Sequence, residues 1–142
     1  MNKVRYVGLD LGSKTVGIAT SQGIIVSPYK TINFNENDFE DCINKLTPEL
    51  KDLTPEKIIV GYPKNMDGTL GHRVEMVEHI IYLLTEKKIC NLEDIIKIDE
   101  RLTTRMAKSI MISANISRQK QKQKKDTLAA QLILETYLAN KG

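Results

Sequence analysis

The chain has 142 residues, 41% of them apolar and 27% charged, which is enough to bury the core of one domain and is the balance of a globular protein. No run approaches the roughly 18 apolar residues of a membrane-spanning helix, and MNKVRY passes into the first strand with no space for a signal peptide, so a cytoplasmic location is expected. The net charge of +3 does not by itself indicate a nucleic-acid partner, and the two cysteines lack the CxxC spacing of a thiolate metal site.

Val4–Leu9 is a hydrophobic run broken only by Arg5, the pattern of a strand buried on both faces. Asp10 falls where that strand is expected to end. A carboxylate at the tip of a central strand is costly to desolvate unless a basic side chain or a metal ion meets it. Gly12 and Gly17 permit a tight turn and close approach of a ligand. Ser13, Lys14 and Thr15 fill the turn with donors suited to phosphate oxygens. A plain hairpin with Asp10 capping its turn fits the same residues.

A second strand is expected at Val16–Thr20, a turn at Ser21-Gln22-Gly23, and a third strand at Ile24–Thr31. Pro28 marks that strand as an edge or a bulge. Glu36, Asp38, Glu40 and Asp41 gather where a helix dipole favours negative charge. Phe39, Ile43, Leu46, Leu50 and Leu53 then recur at helical spacing, with Pro48 expected to kink or split the helix. Lys57–Tyr62 reads as a buried strand parallel to a neighbour.

The loop Pro63–Gly71 leads into a helix at His72–Lys87, with Val77, Ile80, Ile81 and Leu84 inward. Ile95–Ile98 is a further parallel strand that ends in Asp99-Glu100-Arg101. Thr103 or Thr104 would cap the next helix, which carries Met106 and Ile110 inward. Ser113–Lys124 is polar and basic with little periodicity and reads as a loop. Within and beside it Arg118, Lys120, Lys122, Lys124 and Lys125 form a candidate phosphate-contacting arm. The last helix is expected at Asp126–Leu138.

This order gives a mixed α/β sheet with helices on both faces, and ligands on such sheets gather at the carboxyl ends of the parallel strands. Asp10 and Glu100 fall at such ends. Asp126 shares a helical face with Ala130, Ile133 and Tyr137, so the packing of that face brings it to the sheet's rim in the helix's first turn. Three acids distant in sequence can thus converge. Their mutual repulsion is relieved by hard divalent ions, a pair of which can activate water and stabilise the leaving oxygen of a phosphodiester. Each acid also has a simpler reading, Asp126 as an N-cap and Asp99 or Glu100 as a surface partner of Arg101. His72 and His79 lack neighbouring ligands, and no Ser-His-Asp constellation or P-loop can be assembled.

GLDLGSKTVGIATS, VGYPKNMDGTLG, DERLTT and KKDTLAAQLILETYL, in that order across residues 4–138, resemble the YqgF family, described as Holliday junction resolvases and as pre-16S rRNA nucleases. The resemblance implies a ribonuclease-H-like fold, a five-stranded mixed sheet with three antiparallel and two parallel strands, as a single domain over 1–142. It implies a Mg²⁺- or Mn²⁺-dependent nuclease with Asp10, Glu100 and Asp126 as catalytic acids and metal ligands and Asp99 as an additional candidate ligand. Ser13, Lys14, Thr15, Arg101, Arg118, Lys120, Lys122, Lys124 and Lys125 would contact nucleic acid. Structured RNA is the favoured partner, four-way DNA the second, and the chain is expected as a monomer or weak homodimer. Two departures are visible. The strand Lys57–Tyr62 ends without the acid that better-characterised resolvases of this fold carry there, and Ala129 stands where they have another. The sparser set implies weak metal binding without substrate. DLGSKTVG also resembles the phosphate hairpin of actin-like and sugar-kinase ATPases, which need two such subdomains where this chain has one. A non-catalytic RNA- or ribosome-associated factor is the remaining alternative.

Overall fold

The computed structural model describes residues 5–63, 71–99 and 118–141. Strands β1 (Tyr6–Leu11), β2 (Thr15–Gln22) and β3 (Ile25–Asn33) are followed by α1 (Phe39–Leu53), β4 (Lys57–Tyr62), α2 (His72–Glu86), a single 3₁₀ turn (Leu92–Asp94), β5 (Ile95–Asp99) and α3 (Arg118–Lys141). The five strands form one sheet in the order β3-β2-β1-β4-β5. β1 pairs antiparallel with β2 and parallel with β4, β2 pairs antiparallel with β3, and β4 pairs parallel with β5. This is the expected three-plus-two mixed sheet. The expected helix with Met106 and Ile110 lies outside the described residues. Among the described residues no helix is long and apolar enough to cross a membrane.

The alternation of β1 divides the core. Val7, Leu9 and Leu11 face α1 and α2, where Ile43, Leu46, Leu50, Val77, Ile80, Ile81 and Leu84 are buried with them. Tyr6 faces the other way and joins Ala19, Ile59, Ala130, Ile133 and Leu134 under α3. Helices therefore cover both faces, and the apolar stripes read from the sequence are the stripes that pack. Asp38 caps α1 by accepting a hydrogen bond at Oδ1 from the Asp41 backbone N–H.

Several boundaries differ from the sequence reading. β1 runs to Leu11, so Asp10 is its penultimate residue, paired in register with Gly17. The β2–β3 turn is Gly23-Ile24, with Ser21 and Gln22 inside β2. Gly23 takes φ +68°, which a residue without Cβ adopts at little cost. Pro28 does mark a bulge on an edge strand, because Ile18 and Ala19 oppose Lys30 and Pro28 and leave Tyr29 extra. Pro48 does not split α1; buried Leu46 and Leu50 on either side of it secure one helix against the core.

The largest difference is α3, which begins at Arg118 where a loop to Lys124 is expected from composition. Lys, Arg and Gln are good helix formers, and extending a helix already fixed by packing adds about one hydrogen bond per residue. The like-charge pairs at i,i+4 oppose this by only a few tenths of a kcal/mol each. Asp126 is consequently eight residues inside the helix and neither an N-cap nor in the first turn.

α3 lies unusually close to β1. An ideal Cβ built on Gly8 would stand 2.7 Å from the Ala130 carbonyl oxygen and 2.7 Å from Leu134 Cγ. Gly8→Ala should lift the helix and lower stability by about 1–3 kcal/mol, as overpacking does, or about 2–4 °C of melting temperature per kcal/mol in a chain of this size. Thermal denaturation of the variant checks this, and an unchanged midpoint would show that the contact is loose.

Candidate active site

Contacts along β1 fix the direction and level of α3. At the start of β1 the Tyr6 ring meets Tyr137 edge-on, with centroids 5.4 Å apart. Two residues later Gly8 meets Ala130 and Leu134. The helix therefore runs antiparallel to β1. Two strand residues rise about 6.6 Å, which is about four helix residues at 1.5 Å each.

Asp10 is half-buried, with its Oδ1 shut off from solvent. As an even position of β1 it is on the α3 face, and its partner across the antiparallel ladder is Gly17. On the other side the parallel register pairs Leu9 with Val60, which sets Gly61 next to Asp10. Gly17 and Gly61 are both buried. Asp10 thus stands between two neighbours that carry no side chain. Beyond Gly61 the register continues to Ile98.

The adjoining turn is braced from outside. The Gly12 N–H donates to the Thr15 carbonyl at 2.8 Å, the Phe34 N–H to the Lys14 carbonyl at 3.0 Å, and the Asn37 N–H to the Ser13 carbonyl at 2.7 Å. Asn37 adopts φ 60°, a left-handed conformation that Asn tolerates better than most residues. The loop is tied in turn to α1, because the Asn35 N–H donates to Asp41 Oδ2, a bond that with Lys45 holds the Asp41 carboxyl below its ordinary range. Ser13 and Thr15 are half-buried and Lys14 is exposed, all at the end of the sheet where Asp10 sits. The sequence reading missed this brace, although Asn35-Glu36-Asn37 carries the Asn signal of a tight turn.

Asp99 belongs to the opposite face. Its register partner is Tyr62, which packs with the α1–α2 core, whereas Ile96 and Ile98 pack under α3. The additional ligand candidate is therefore separated from Asp10 by the sheet. On that face the Tyr62 hydroxyl donates to Glu78 Oε1 at 2.9 Å, and Lys97 Nζ donates to the same oxygen. Lys97 first, with Tyr62, holds the Glu78 carboxyl below its ordinary range, while burial and the bond to Glu78 push the Tyr62 hydroxyl up. No sequence motif pointed to this trio.

Glu100 and Arg101 lie outside the described residues. Arg118, Lys120, Lys122, Lys124, Lys125 and Asp126 are described as helix backbone. Among the described residues no group of three or more His, Cys, Asp or Glu is placed to hold a metal. His79 is exposed and meets the Phe39 ring edge-on. Cys42 and Cys90 keep their protons, burial pushing the thiols up to about 12 and about 11.

A family model described as RuvX, Holliday junction resolvase, matches residues 4–140. The chain belongs to the RuvX family. Relatives named as candidate pre-16S rRNA nucleases include one from Mycoplasma capricolum, 49% identical over 95% of both chains. Another from Mesoplasma florum is 52% identical over 93% of this chain and 94% of its own. A third from Bacillus subtilis is 40% identical over 95% and 97%. Among solved structures, the fold is similar to T. thermophilus RuvC in complex with a Holliday junction substrate, with TM-score 0.60, 12% identity and coverage of 96% of this chain and 95% of that one. It is also similar to the yeast mitochondrial Holliday junction resolvase Ydc2, with TM-score 0.56, 17% identity and coverage of 96% and 78%. These likenesses identify the sheet and helices of this RuvX chain as the RuvC-like, ribonuclease-H-like fold.

Proposed function

We propose that this RuvX-family nuclease hydrolyses phosphodiester bonds in structured nucleic acid, with processing of the 5′ end of pre-16S rRNA in the cytoplasm as its principal task. The observation that supports the site assignment is the setting of Asp10, a carboxylate between two side-chain-free neighbours on the face that α3 covers. Asp10, Glu100 and Asp126 form the catalytic acids and metal ligands; Asp99 is left out because it is on the other face. The all-oxygen donor set suits Mg²⁺ or Mn²⁺. When bound, such ions supply an activated water and stabilise charge on the leaving oxygen. The chain's own part is to hold the acids in place, keep them ionised, and seat the substrate backbone. With three acids, nucleic acid must complete the coordination, so the ions bind weakly before the substrate arrives.

Ser13, Lys14 and Thr15 on the braced turn contact phosphate next to Asp10, and Arg101 adds positive charge near Glu100. Arg118, Lys120, Lys122, Lys124 and Lys125 do the same from the leading turns of α3, a preformed arm that loses little entropy on binding. RNA is favoured because the full-length relatives carry that name and because trimming an RNA end requires one active site in a monomer. Resolving a four-way junction requires two sites related by a twofold axis. The family description and the RuvC-like fold support junction DNA as the second reading.

Two experiments follow. Cleavage of a pre-16S rRNA fragment and of a four-way DNA junction under Mg²⁺ and Mn²⁺ should be lost in Asp10→Asn, with an equal or higher melting temperature as charge repulsion is relieved, and retained in Asp99→Asn. An active Asp10→Asn protein would remove Asp10 from the site, and no cutting of either substrate by the parent protein would favour a non-catalytic RNA-binding role. Replacing Lys120, Lys122 and Lys124 by Ala should weaken binding across unrelated sequences and flatten its salt dependence by about one unit of log–log slope per lost phosphate contact. An unchanged slope would place the substrate elsewhere.

A further inference from the structure

We infer that Asn37, through its left-handed backbone, is a positioning residue for the Ser13–Thr15 turn, an assignment that rests on the phosphate-contact reading of that turn above. Each carbonyl of the turn accepts a backbone hydrogen bond. Thr15 accepts from the Gly12 N–H within the turn, and the β3–α1 loop takes the other two, Ser13 by the Asn37 N–H at 2.7 Å and Lys14 by the Phe34 N–H at 3.0 Å. None of the described peptide bonds is cis, and in a trans peptide the N–H points opposite to the carbonyl. The Lys14 N–H is therefore turned away from Asn37, and the Thr15 N–H away from Phe34. Phe34 continues β3, and β2 has β1 on its other side, so the Thr15 N–H is directed to the side of the strand that carries Asp10. The loop thus draws the acceptors of the turn to itself and leaves two successive N–H donors facing the other way, an arrangement that favours anions. The exposed Lys14 side chain is on the same turn.

A loop can impose this geometry only if it is itself fixed. Phe34 is buried in the core, and its ring meets that of Phe39 at the start of α1. The Asn35 N–H donates to Asp41 Oδ2, and the Asn35 carbonyl accepts from the Asp38 N–H. Lys45, one helical turn beyond Asp41, donates to the Asn33 carbonyl at 2.9 Å and pairs with Asp41 at 3.3 Å. Between these anchors stands Asn37 at φ 60°, the conformation in which its N–H reaches Ser13. Glycine and asparagine adopt that region most readily and β-branched residues least. The contact at Ser13 is therefore the member of the brace that depends on the identity of one residue.

Two substitutions that both keep the N–H isolate the backbone conformation. Asn37→Gly accepts φ 60° without steric cost, whereas Asn37→Val resists it. Asn37 is exposed, so neither change touches the core, and Asn37→Ala is the milder substitute where Asn37→Val does not fold. In the free protein, Asn37→Val should lower the hydrogen-exchange protection of the amides at positions 34 and 37, and Asn37→Gly should largely keep it. Binding of the pre-16S rRNA fragment, measured in EDTA so that no metal-dependent cut intervenes, should weaken about fivefold in Asn37→Val, the scale of one net hydrogen bond. Asn37→Gly should bind as the parent does. Lys14→Ala alone should weaken binding and flatten its salt dependence by about one unit of log–log slope. If Asn37 acts through the turn, Lys14→Ala should cost less affinity in the Asn37→Val background than in the parent, whereas a merely structural change would leave the two effects additive. Parental binding by Asn37→Val, additive effects, or an Asn37→Gly protein as impaired as Asn37→Val would each overturn the assignment. A Lys14→Ala protein with parental affinity and slope would instead remove the turn from the substrate path, and the positioning role would fall with that reading.

Discussion

The close seating of α3 on β1 at Gly8 governs the rest of the site. With no Cβ at that position, the Ala130 carbonyl and the Leu134 side chain come within a distance that any larger residue would prevent. That contact and the Tyr6–Tyr137 edge contact fix two points of one antiparallel line. Asp10 lies two strand residues beyond Gly8 on the same face of β1.

The two faces of the sheet divide the work. The α1–α2 face holds most of the buried aliphatic side chains and supplies rigidity. The α3 face holds the smaller core and the Asp10 carboxylate between Gly17 and Gly61. The acids of the proposed site need a rigid support, because repulsion would otherwise spread them apart. Support comes from three directions: the apolar ladder under Asp10, the β3–α1 loop that grips the turn after it, and the Glu78 contact at the ends of β4 and β5. In the proposed reading, basic residues on the turn and on the leading turns of α3 offset the charge of an incoming phosphate backbone.

Much of this was legible in the sequence. The buried stripes of α1 and α2, the order of strands and helices, and Asp10 at the rim of the first strand all follow from apolar periodicity and glycine placement. Other parts were not. The extent of α3 was hidden because Arg118–Lys125 has no apolar period, and the helix propensity of Lys and Gln outweighed the repulsion that suggested a loop. Pro48 misled in the opposite direction, since the burial of Leu46 and Leu50 keeps the helix whole. The separation of Asp99 from Asp10 was latent in the alternation of Ile96 and Ile98, but adjacent acids invite being read as one. Tyr62, Glu78 and Lys97 meet only after three elements have packed, and Asn37 acts through its backbone, so no local pattern announces them.

The central claim is that a divalent ion is bound on the α3 face around Asp10. The most direct measurement is Mn²⁺ titration of isotope-labelled protein with paramagnetic broadening of backbone amides as readout. Broadening should begin at Gly17, Gly61 and Thr127 and spare α1 residues such as Leu50 on the other side of the sheet. Broadening centred on another acidic region, such as Glu49 or Asp94, with Gly17 and Gly61 sharp, would contradict it.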